Sequence, residues 1–204
     1  MSAATNERTG ANGASERATV SETTPWWERR AEDIERLIGK YPKARSAIMG
    51  LFWMAQEERG YVADEDLNFI ADKLGLTRGY VDSTITFYSL YHLEPVGKYV
   101  IIVCDNVICG LCGGGQLTRE LERILGVKVG GTTADKMFTL QVTGECIAAC
   151  DGAPALQINQ EYFHKVTPER AALIVQRLRD GADLATLSEE IGLTKPGAVW
   201  EEGD

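Results

Sequence analysis

The spacing of apolar residues along this chain changes once, near residue 95, from a helical period to a strand-like one. Before that point apolar residues recur every three or four positions, as in amphipathic helices; the clearest set is Ile48, Leu51, Phe52 and Ala55. Helices are predicted over residues 28–38, 44–58, 65–74 and 78–91. Asp64 and Thr77 stand where the N-caps of the last two would lie. Residues 26–95 are therefore predicted to form a helical bundle.

Residues 96–181 show the other pattern. Tyr99 to Val103 form a continuous apolar run, which is typical of a strand covered on both faces. Further strands are predicted over 137–142, 155–158 and 162–166, and helices over 117–125 and 168–178. The order strand, helix, strand, strand, helix resembles the core of a thioredoxin-like fold. The predicted fold class is α+β, a helical bundle followed by a thioredoxin-like domain.

The two ends of the chain lack these patterns. Residues 1–25 consist mostly of small and polar residues, and they lack the apolar core that a signal peptide needs. They are predicted to be a disordered tail. Residues 182–204 are predicted to be a C-terminal tail, within which 184–191 could form a helix.

Composition narrows the functions that this chain can have. The 204 residues carry a net charge of −9, which disfavours nucleic acid and anionic membrane surfaces as partners. No apolar run approaches the roughly 18 residues of a spanning helix, so we expect no direct insertion into a membrane. Without an export signal, we expect a cytoplasmic protein whose five cysteines stay reduced. Clustered cysteines in that setting indicate metal or redox chemistry.

Four of the five cysteines form two close pairs. Cys104 and Cys109 have four residues between them, Cys146 and Cys150 have three, and 36 residues separate the pairs. Each pair follows a predicted strand, so the four thiolates are expected at one end of a sheet. Four thiolates around a small volume indicate iron–sulfur or zinc, and this spacing favours a [2Fe–2S] cluster. The four cysteines are therefore the candidate cluster ligands.

The fifth cysteine, Cys112, leaves other arrangements open. Cys109 and Cys112 form a CxxC ahead of a predicted helix, which resembles the placement of a thioredoxin-type redox pair. Cys109 and Cys112 could also join Cys146 and Cys150 in a zinc site, as in a zinc-stabilised adaptor without redox function. A redox pair leaves three cysteines without a role, and the zinc site leaves Cys104 unused. A third alternative is that the cysteines are only buried structural residues.

Residues 66–86 have the pattern of a DNA-binding helix-turn-helix, but their charges do not fit. Residues 64–91 contain five acidic and two basic side chains, whereas a recognition helix needs bases to neutralise phosphates. His92 and His164 lie apart from any carboxylate or serine pattern and are interpreted as structural. The glycines at 113–115 lack the lysine of a phosphate-binding loop, so no NADH site is predicted on this chain.

Several segments resemble one known family, the small [2Fe–2S] subunit of respiratory NADH:quinone oxidoreductase (complex I). The resemblance runs from about residue 41 to 181, and it is carried by residues 41–58, 86–88, 93–99, 126–130, 138–140 and 145–154 and by Cys104 and Cys109. It implies an N-terminal helical bundle and a thioredoxin-like [2Fe–2S] ferredoxin domain. By position, it implies a cluster bound by Cys104, Cys109, Cys146 and Cys150. Ile147-Ala148 departs from the Leu-Gly that is usual in the family.

The resemblance also implies a role in a larger complex. The cluster would exchange electrons with FMN on a partner flavoprotein subunit, which would also bind NADH. The chain would then be an enzyme only as an electron-carrier subunit, cytoplasmic and peripheral to the inner membrane. The alternative is the homologous diaphorase subunit of an NAD-linked hydrogenase or formate dehydrogenase.

Overall fold

A computed structural model describes residues 24–190 of the chain, so nearly all of the predicted tail 1–25 and residues 191–204 of the second tail lie outside it. The first half of the described region is helical. Its α-helices are α1 (Trp26–Arg29), α2 (Ala31–Ile38), α3 (Ile48–Arg59), α4 (Asp64–Leu74) and α5 (Arg78–Phe87). A 3-10 turn, Ala44–Ala47, leads into α3. These helices match the predicted segments closely.

Two helix ends in the bundle differ from the prediction. Thr77 caps α5 as expected, because its hydroxyl accepts a hydrogen bond from the Tyr80 N–H. Asp64 does not cap α4; Ala63 precedes that helix, and its N–H donates to the Asp66 carboxylate at 2.7 Å. Helix α5 ends at Phe87, since Tyr88 is extended. The β-branched run before it, residues 84–86, favours an early end because such side chains lose rotamer freedom in helices.

The bundle packs around an apolar core with one buried carboxylate. Its largest fully buried side chains are Ile34, Leu51, Phe52, Ile70 and Ile85. Asp66 is fully buried beside them, and it accepts hydrogen bonds from the Trp26 indole at 2.7 Å and from Arg59 at 2.8 Å. The carboxylate therefore links α1, α3 and α4 near the start of the described region.

The second half is the α+β part. Its strands are β1 (Tyr99–Cys104), β2 (Phe138–Thr143), β3 (Leu156–Ile158) and β4 (Glu161–Phe163). Its helices are α6 (Val107–Leu111), α7 (Gly114–Leu125), α8 (Pro168–Arg179) and α9 (Leu184–Glu190), with a 3-10 turn at Cys150–Gly152. The sequence did not predict α6, and β4 ends at Phe163 where the prediction ran to Val166. Helix α9 lies within the range predicted as a tail.

The strands form a sheet in the order β2-β1-β3-β4. Strand β1 pairs with β2 in parallel and with β3 in antiparallel fashion, and β3 pairs with β4 as an antiparallel hairpin. In the register of the parallel pair, Cys104 lies opposite Thr143. The C-terminal ends of β1 and β2, and the loops that follow them, therefore meet at one edge of the sheet.

Different parts of the chain pack on the two faces of the sheet. Alternate β1 residues, Tyr99, Ile101 and Val103, pack with apolar residues of α7, α8 and α9 in the main core. Val100 and Ile102 point to the other face, where a groove of about 490 Å³ separates them from Trp53 and Leu90 of the helical half. Within residues 24–190, no helix combines the length and hydropathy needed to cross a bilayer.

Candidate metal centre

The first thiol pair is buried at the end of β1. Cys104 is the last residue of that strand and Cys109 lies in the middle of α6; each side chain is 1% exposed. The turn between them is fixed by Asn106, whose side-chain oxygen accepts a hydrogen bond from the Val107 N–H at 2.9 Å. This cap starts α6 directly after the strand, and the short helix brings Cys109 back toward Cys104.

The second thiol pair is exposed and lies on the loop after β2. The sulfur atoms of Cys146 and Cys150 are 3.4 Å apart. The backbone N–H of Ala148 donates a hydrogen bond to the Cys146 sulfur at 3.3 Å. Ala148 adopts a positive φ of 61°, which is the conformation that turns this N–H toward the sulfur side of the loop.

The pKa of three of these thiols, Cys109, Cys146 and Cys150, departs from the ordinary value of cysteine. Burial raises the pKa of Cys109 to about 11, and the thiols of Cys104 and Cys150 act in the same direction. The neighbouring Cys146 thiol raises the pKa of Cys150. The Ala148 N–H lowers the pKa of Cys146 because it stabilises the thiolate. Cys104, Cys109, Cys146 and Cys150 thus form one connected group.

Backbone and side-chain hydrogen bonds hold the two cysteine loops together. The Asn106 side-chain amide donates to the Gly144 carbonyl at 2.6 Å, and the Asp105 N–H donates to the Thr143 carbonyl at 3.1 Å. The Cys104 N–H donates to the Ala155 carbonyl at 3.2 Å. These bonds tie the end of β1 to the segments on both sides of the second pair, so the pairs cannot move apart without breaking them.

Small side chains line the space around the buried thiols. Cys104 and Cys109 pack with Ala149 and Ala155, and Ile147 and Ala153 lie against this cluster. At Gly114, a Cβ would lie 2.7 Å from the Cys104 carbonyl oxygen and 3.0 Å from that of Cys109. Only glycine therefore lets α7 begin this close to both cysteines.

The remaining sequence candidates lie elsewhere. Cys112 follows α6 with its side chain exposed, and the apolar cluster around Cys104 and Cys109 does not include it. His92 is partly buried beside the groove between the two halves, and His164 is buried behind the Cys150 turn. Among residues 24–190, no three His, Cys, Asp or Glu side chains are arranged to hold a single metal ion.

Sequence reasoning missed two contributors to this centre. Asn106 was not predicted to cap a helix, although an Asn directly before an apolar run is a recognisable N-cap signal. Helix α6 was also missed, and with it the exposure of its apolar side chains: Val107 is 69% exposed and Leu111 is 83% exposed. Because α6 has only five residues, it is too short for a helical period to be detected in the sequence.

The donor set fits a [2Fe–2S] cluster. Such a cluster takes two thiolates on each of two tetrahedral irons, and the chain supplies two close pairs. Two sulfurs on one tetrahedral metal with bonds of about 2.3 Å lie about 3.8 Å apart, so the 3.4 Å between Cys146 and Cys150 needs only a small adjustment. The N–H of Ala148 suits an anionic group, and the small alanine side chains shield the buried thiols on one side.

A thioredoxin-like sheet with two close thiol pairs at one edge defines a class of small metal-binding α+β proteins. The comparison with known families is more specific. The family model of the thioredoxin-like [2Fe-2S] ferredoxins matches residues 34–179, and the chain belongs to this family. The match covers the helical half as well as the sheet.

Individual proteins show the same relationship. An NADH-quinone oxidoreductase subunit from Mycobacterium tuberculosis (strain ATCC 25618 / H37Rv) is 42% identical over 147 residues, which cover 72% of this chain and 58% of that relative. The corresponding NADH-quinone oxidoreductase subunit from Rhizobium meliloti (strain 1021) is 40% identical over 148 residues, 72% of this chain and 88% of the relative. The chain therefore spans a little over half the length of the mycobacterial relative.

A solved structure supports the fold. The crystal structure of an NAD+-reducing [NiFe]-hydrogenase in the air-oxidized state matches with a TM-score of 0.60. The match covers 71% of this chain and 25% of the hydrogenase chain at 22% identity. The shared architecture includes helices as well as the thioredoxin-like sheet, and the predicted α+β class is confirmed.

Proposed function

We propose that this chain binds one [2Fe–2S] cluster through Cys104, Cys109, Cys146 and Cys150 and carries electrons within an NADH:quinone oxidoreductase. The observation that carries the proposal is the convergence of two thiol pairs at one edge of the sheet. Membership of the [2Fe-2S] ferredoxin family supports the cluster. Relatives at 40–42% identity are named as subunits of NADH-quinone oxidoreductase, which supports the host complex.

The chain's own residues would bind, shield and tune the cluster. A bound [2Fe–2S] cluster accepts and releases single electrons. The buried pair would bind one iron and the exposed pair the other. The Ala148 N–H donates to the Cys146 sulfur, and such hydrogen bonds stabilise negative charge and so raise the reduction potential. The alanines below Cys104 and Cys109 would keep water from that side.

The same edge offers a surface for a protein partner. Helix α6 exposes Val107, Ile108 and Leu111, three large apolar side chains beside a proposed ligand. Contiguous exposed apolar residues often mark protein interaction sites. The partner would be the flavoprotein subunit of the same complex, which carries FMN and binds NADH. Docking at α6 would bring its flavin to the cluster edge.

The chain would act as an electron-carrier subunit, cytoplasmic and peripheral to the inner membrane. NADH oxidation would belong to the flavoprotein. The alternative host, an NAD-linked hydrogenase or formate dehydrogenase, shares the same domain architecture. The identities of 36–42% to quinone-oxidoreductase subunits favour the first host.

The cluster is tested by metal analysis and EPR on the purified full-length protein. We expect iron and labile sulfide in equal amounts, at about two of each per chain, and an EPR signal after dithionite reduction. Cys146→Ser removes or strongly alters the signal. The matched control is Cys112→Ser, which keeps the signal because Cys112 lies outside the group of four.

Two results would contradict the proposal. Zinc without iron in the purified protein would show that the cysteines form a structural zinc site and not a cluster. Loss of the signal in Cys112→Ser would show that the ligand set is wrong.

The partner surface is tested by co-purification with the flavoprotein subunit and reduction by NADH. Leu111→Glu should leave the isolated EPR signal unchanged but abolish NADH-dependent reduction, since it places a charge in an apolar contact. Leu173→Glu is the matched control, because Leu173 is 43% exposed on α8 and lies outside the proposed surface. Normal association of the Leu111→Glu protein would exclude this surface.

A further inference from the structure

His164 occupies an unusual place directly behind the second cysteine pair. Its side chain is 2% exposed, although histidine is seldom fully buried. Among residues 24–190, its Nε2 atom has no hydrogen-bond partner. An unpaired buried polar atom is destabilising relative to an apolar side chain, because it loses its hydrogen bonds to water without replacement. If residue 164 served only to fill the core, leucine or phenylalanine would therefore be more stabilising than histidine.

The imidazole is packed tightly against the turn that carries Cys150. A Cβ placed on Gly152 would lie 2.1 Å from Nδ1 and 2.4 Å from Cβ of His164. No side chain at position 152 fits beside the imidazole, so the ring and the turn are mutually fitted. The Nδ1 atom also faces the carboxylate of Asp151 at 3.9 Å.

The backbone around His164 holds the same turn. The Lys165 N–H donates to the Gly152 carbonyl at 2.6 Å, and the Val166 N–H donates to the Pro154 carbonyl at 2.9 Å. The segment that follows β4 is thus hydrogen-bonded to residues 152–154. Cys150 begins this 3-10 turn and is the residue whose sulfur lies near Cys146.

We infer that His164 is a positioning residue: by packing on Gly152 and facing Asp151, it fixes the Cys150 turn and thereby the environment of the cluster. The inference rests on the proposed function, because it assigns His164 a role toward the cluster that Cys150 would bind. His164 is not proposed as a ligand of the cluster. Its effect passes through two residues that directly follow the proposed ligand.

The first test compares His164→Ala with wild-type protein. Without the ring, the turn loosens and more water surrounds the already exposed Cys150, which favours the more negative reduced cluster and shifts the midpoint potential upward. The bound cluster should also be lost about tenfold faster to a chelator, as for other residues that orient metal ligands. His164→Asn, which keeps a polar atom near the Nδ1 position, should restore part of both values. His92→Ala is the matched control and should leave both unchanged.

The second test uses the close fit between Gly152 and His164. Gly152→Ala should destabilise cluster binding, because its Cβ collides with the ring. Adding His164→Gly removes the collision and should raise cluster retention from the level of Gly152→Ala to the level of His164→Ala, because the double variant still lacks the ring. Circular dichroism and thermal melting check that each variant is folded.

The outcomes separate this inference from the proposed function. Wild-type protein without iron and sulfide would contradict the proposed function itself. A normal wild-type cluster, with unchanged potential and chelator rate in His164→Ala, would overturn only the role of His164. Failure of His164→Gly to rescue Gly152→Ala would overturn it as well.

Discussion

The two thiol pairs of the centre sit in opposite environments. Cys104 ends β1 and Cys109 lies in the middle of α6, both inside the fold, and each is 1% exposed. Cys146 and Cys150 lie on an exposed loop. Burial raises the pKa of Cys109 to about 11, whereas a backbone N–H lowers the pKa of Cys146. One half of the site therefore belongs to the core, and the other half belongs to the surface.

The two pairs are therefore held in place by different kinds of contact. The buried pair is held by sheet and helix packing, so its geometry is set when the domain folds. The exposed pair depends on local contacts: the Ala148 N–H and the Cys150 turn. A metal that binds here must displace protons from all four thiols, and burial makes Cys109 hold its proton more tightly than an ordinary cysteine does. We expect the predictions below to distinguish the two pairs in the protein without cluster.

Loss of a cysteine should separate the pairs most clearly. Both Cys109→Ala and Cys146→Ala should abolish cluster binding. In the protein without cluster, Cys109→Ala should lower the free energy of unfolding by about 1–2 kcal/mol, because it removes a buried sulfur and leaves a small cavity. Cys146→Ala should change it by less than about 0.5 kcal/mol, as is usual at exposed positions. Urea denaturation measures both values, and equal losses would contradict the difference in burial.

The raised pKa of Cys109 should make stability depend on alkaline pH. The folded state keeps this thiol protonated up to about pH 11, whereas the unfolded thiol ionises near pH 9.0. The stabilising contribution is therefore complete below about pH 9 and is lost as pH rises toward 11. The expected loss is about 1–2 kcal/mol in the protein without cluster. Other groups also titrate here, so the measurement is the difference from Cys109→Ala in urea titrations at each pH.

Cys109→Ala should show a flatter decline of stability between pH 9 and 11. A decline identical in both proteins would mean that Cys109 does not ionise differently on folding.

Alkylation rates should also distinguish the buried Cys109 from the exposed cysteines. At pH 8, Cys109 has about 100-fold less thiolate than an ordinary cysteine of pKa 9, partly offset by its greater intrinsic nucleophilicity. We expect Cys146 to react with iodoacetamide at least about tenfold faster than Cys109, and burial widens the gap. Mass spectrometry of peptides at timed intervals measures each site. Cys112, which is exposed, serves as the internal reference and should react early.

Much of this arrangement could be predicted from the sequence. The apolar run at Tyr99–Val103 identified β1, and two strands in parallel must end at the same edge. The position of each cysteine pair directly after a strand then placed the four thiols together. Thr77 marked the start of α5 because capping chemistry is local.

The rest depends on tertiary contacts that no local pattern reveals. Periodicity cannot distinguish the buried Cys109 from the exposed Cys112, which lie three residues apart. Asp64 has the chemistry of an N-cap, but α4 begins at Asp64 itself, and the Asp66 carboxylate, which Trp26 and Arg59 hold in the core, accepts a hydrogen bond from the Ala63 N–H before the helix. The fit of His164 on Gly152 joins residues twelve positions apart and needs coordinates to be seen.

The smallest expected effect concerns the backbone of the exposed pair. Ala148 has a φ of 61°, and a left-handed conformation costs a residue with a Cβ about 1–2 kcal/mol. Glycine removes that cost but loses about 0.5–1 kcal/mol through chain entropy. Ala148→Gly should therefore stabilise the protein without cluster by about 0.5 kcal/mol.

The adjacent Ala149 provides the matched control for that substitution. It is buried, with an ordinary φ of −119°, so Ala149→Gly should destabilise by about 1 kcal/mol through entropy and lost packing. Urea denaturation of both variants resolves the opposite signs. If Ala148→Gly destabilises as much as Ala149→Gly, the positive φ carries no cost, and the exposed loop holds Cys146 by packing and not by its backbone turn.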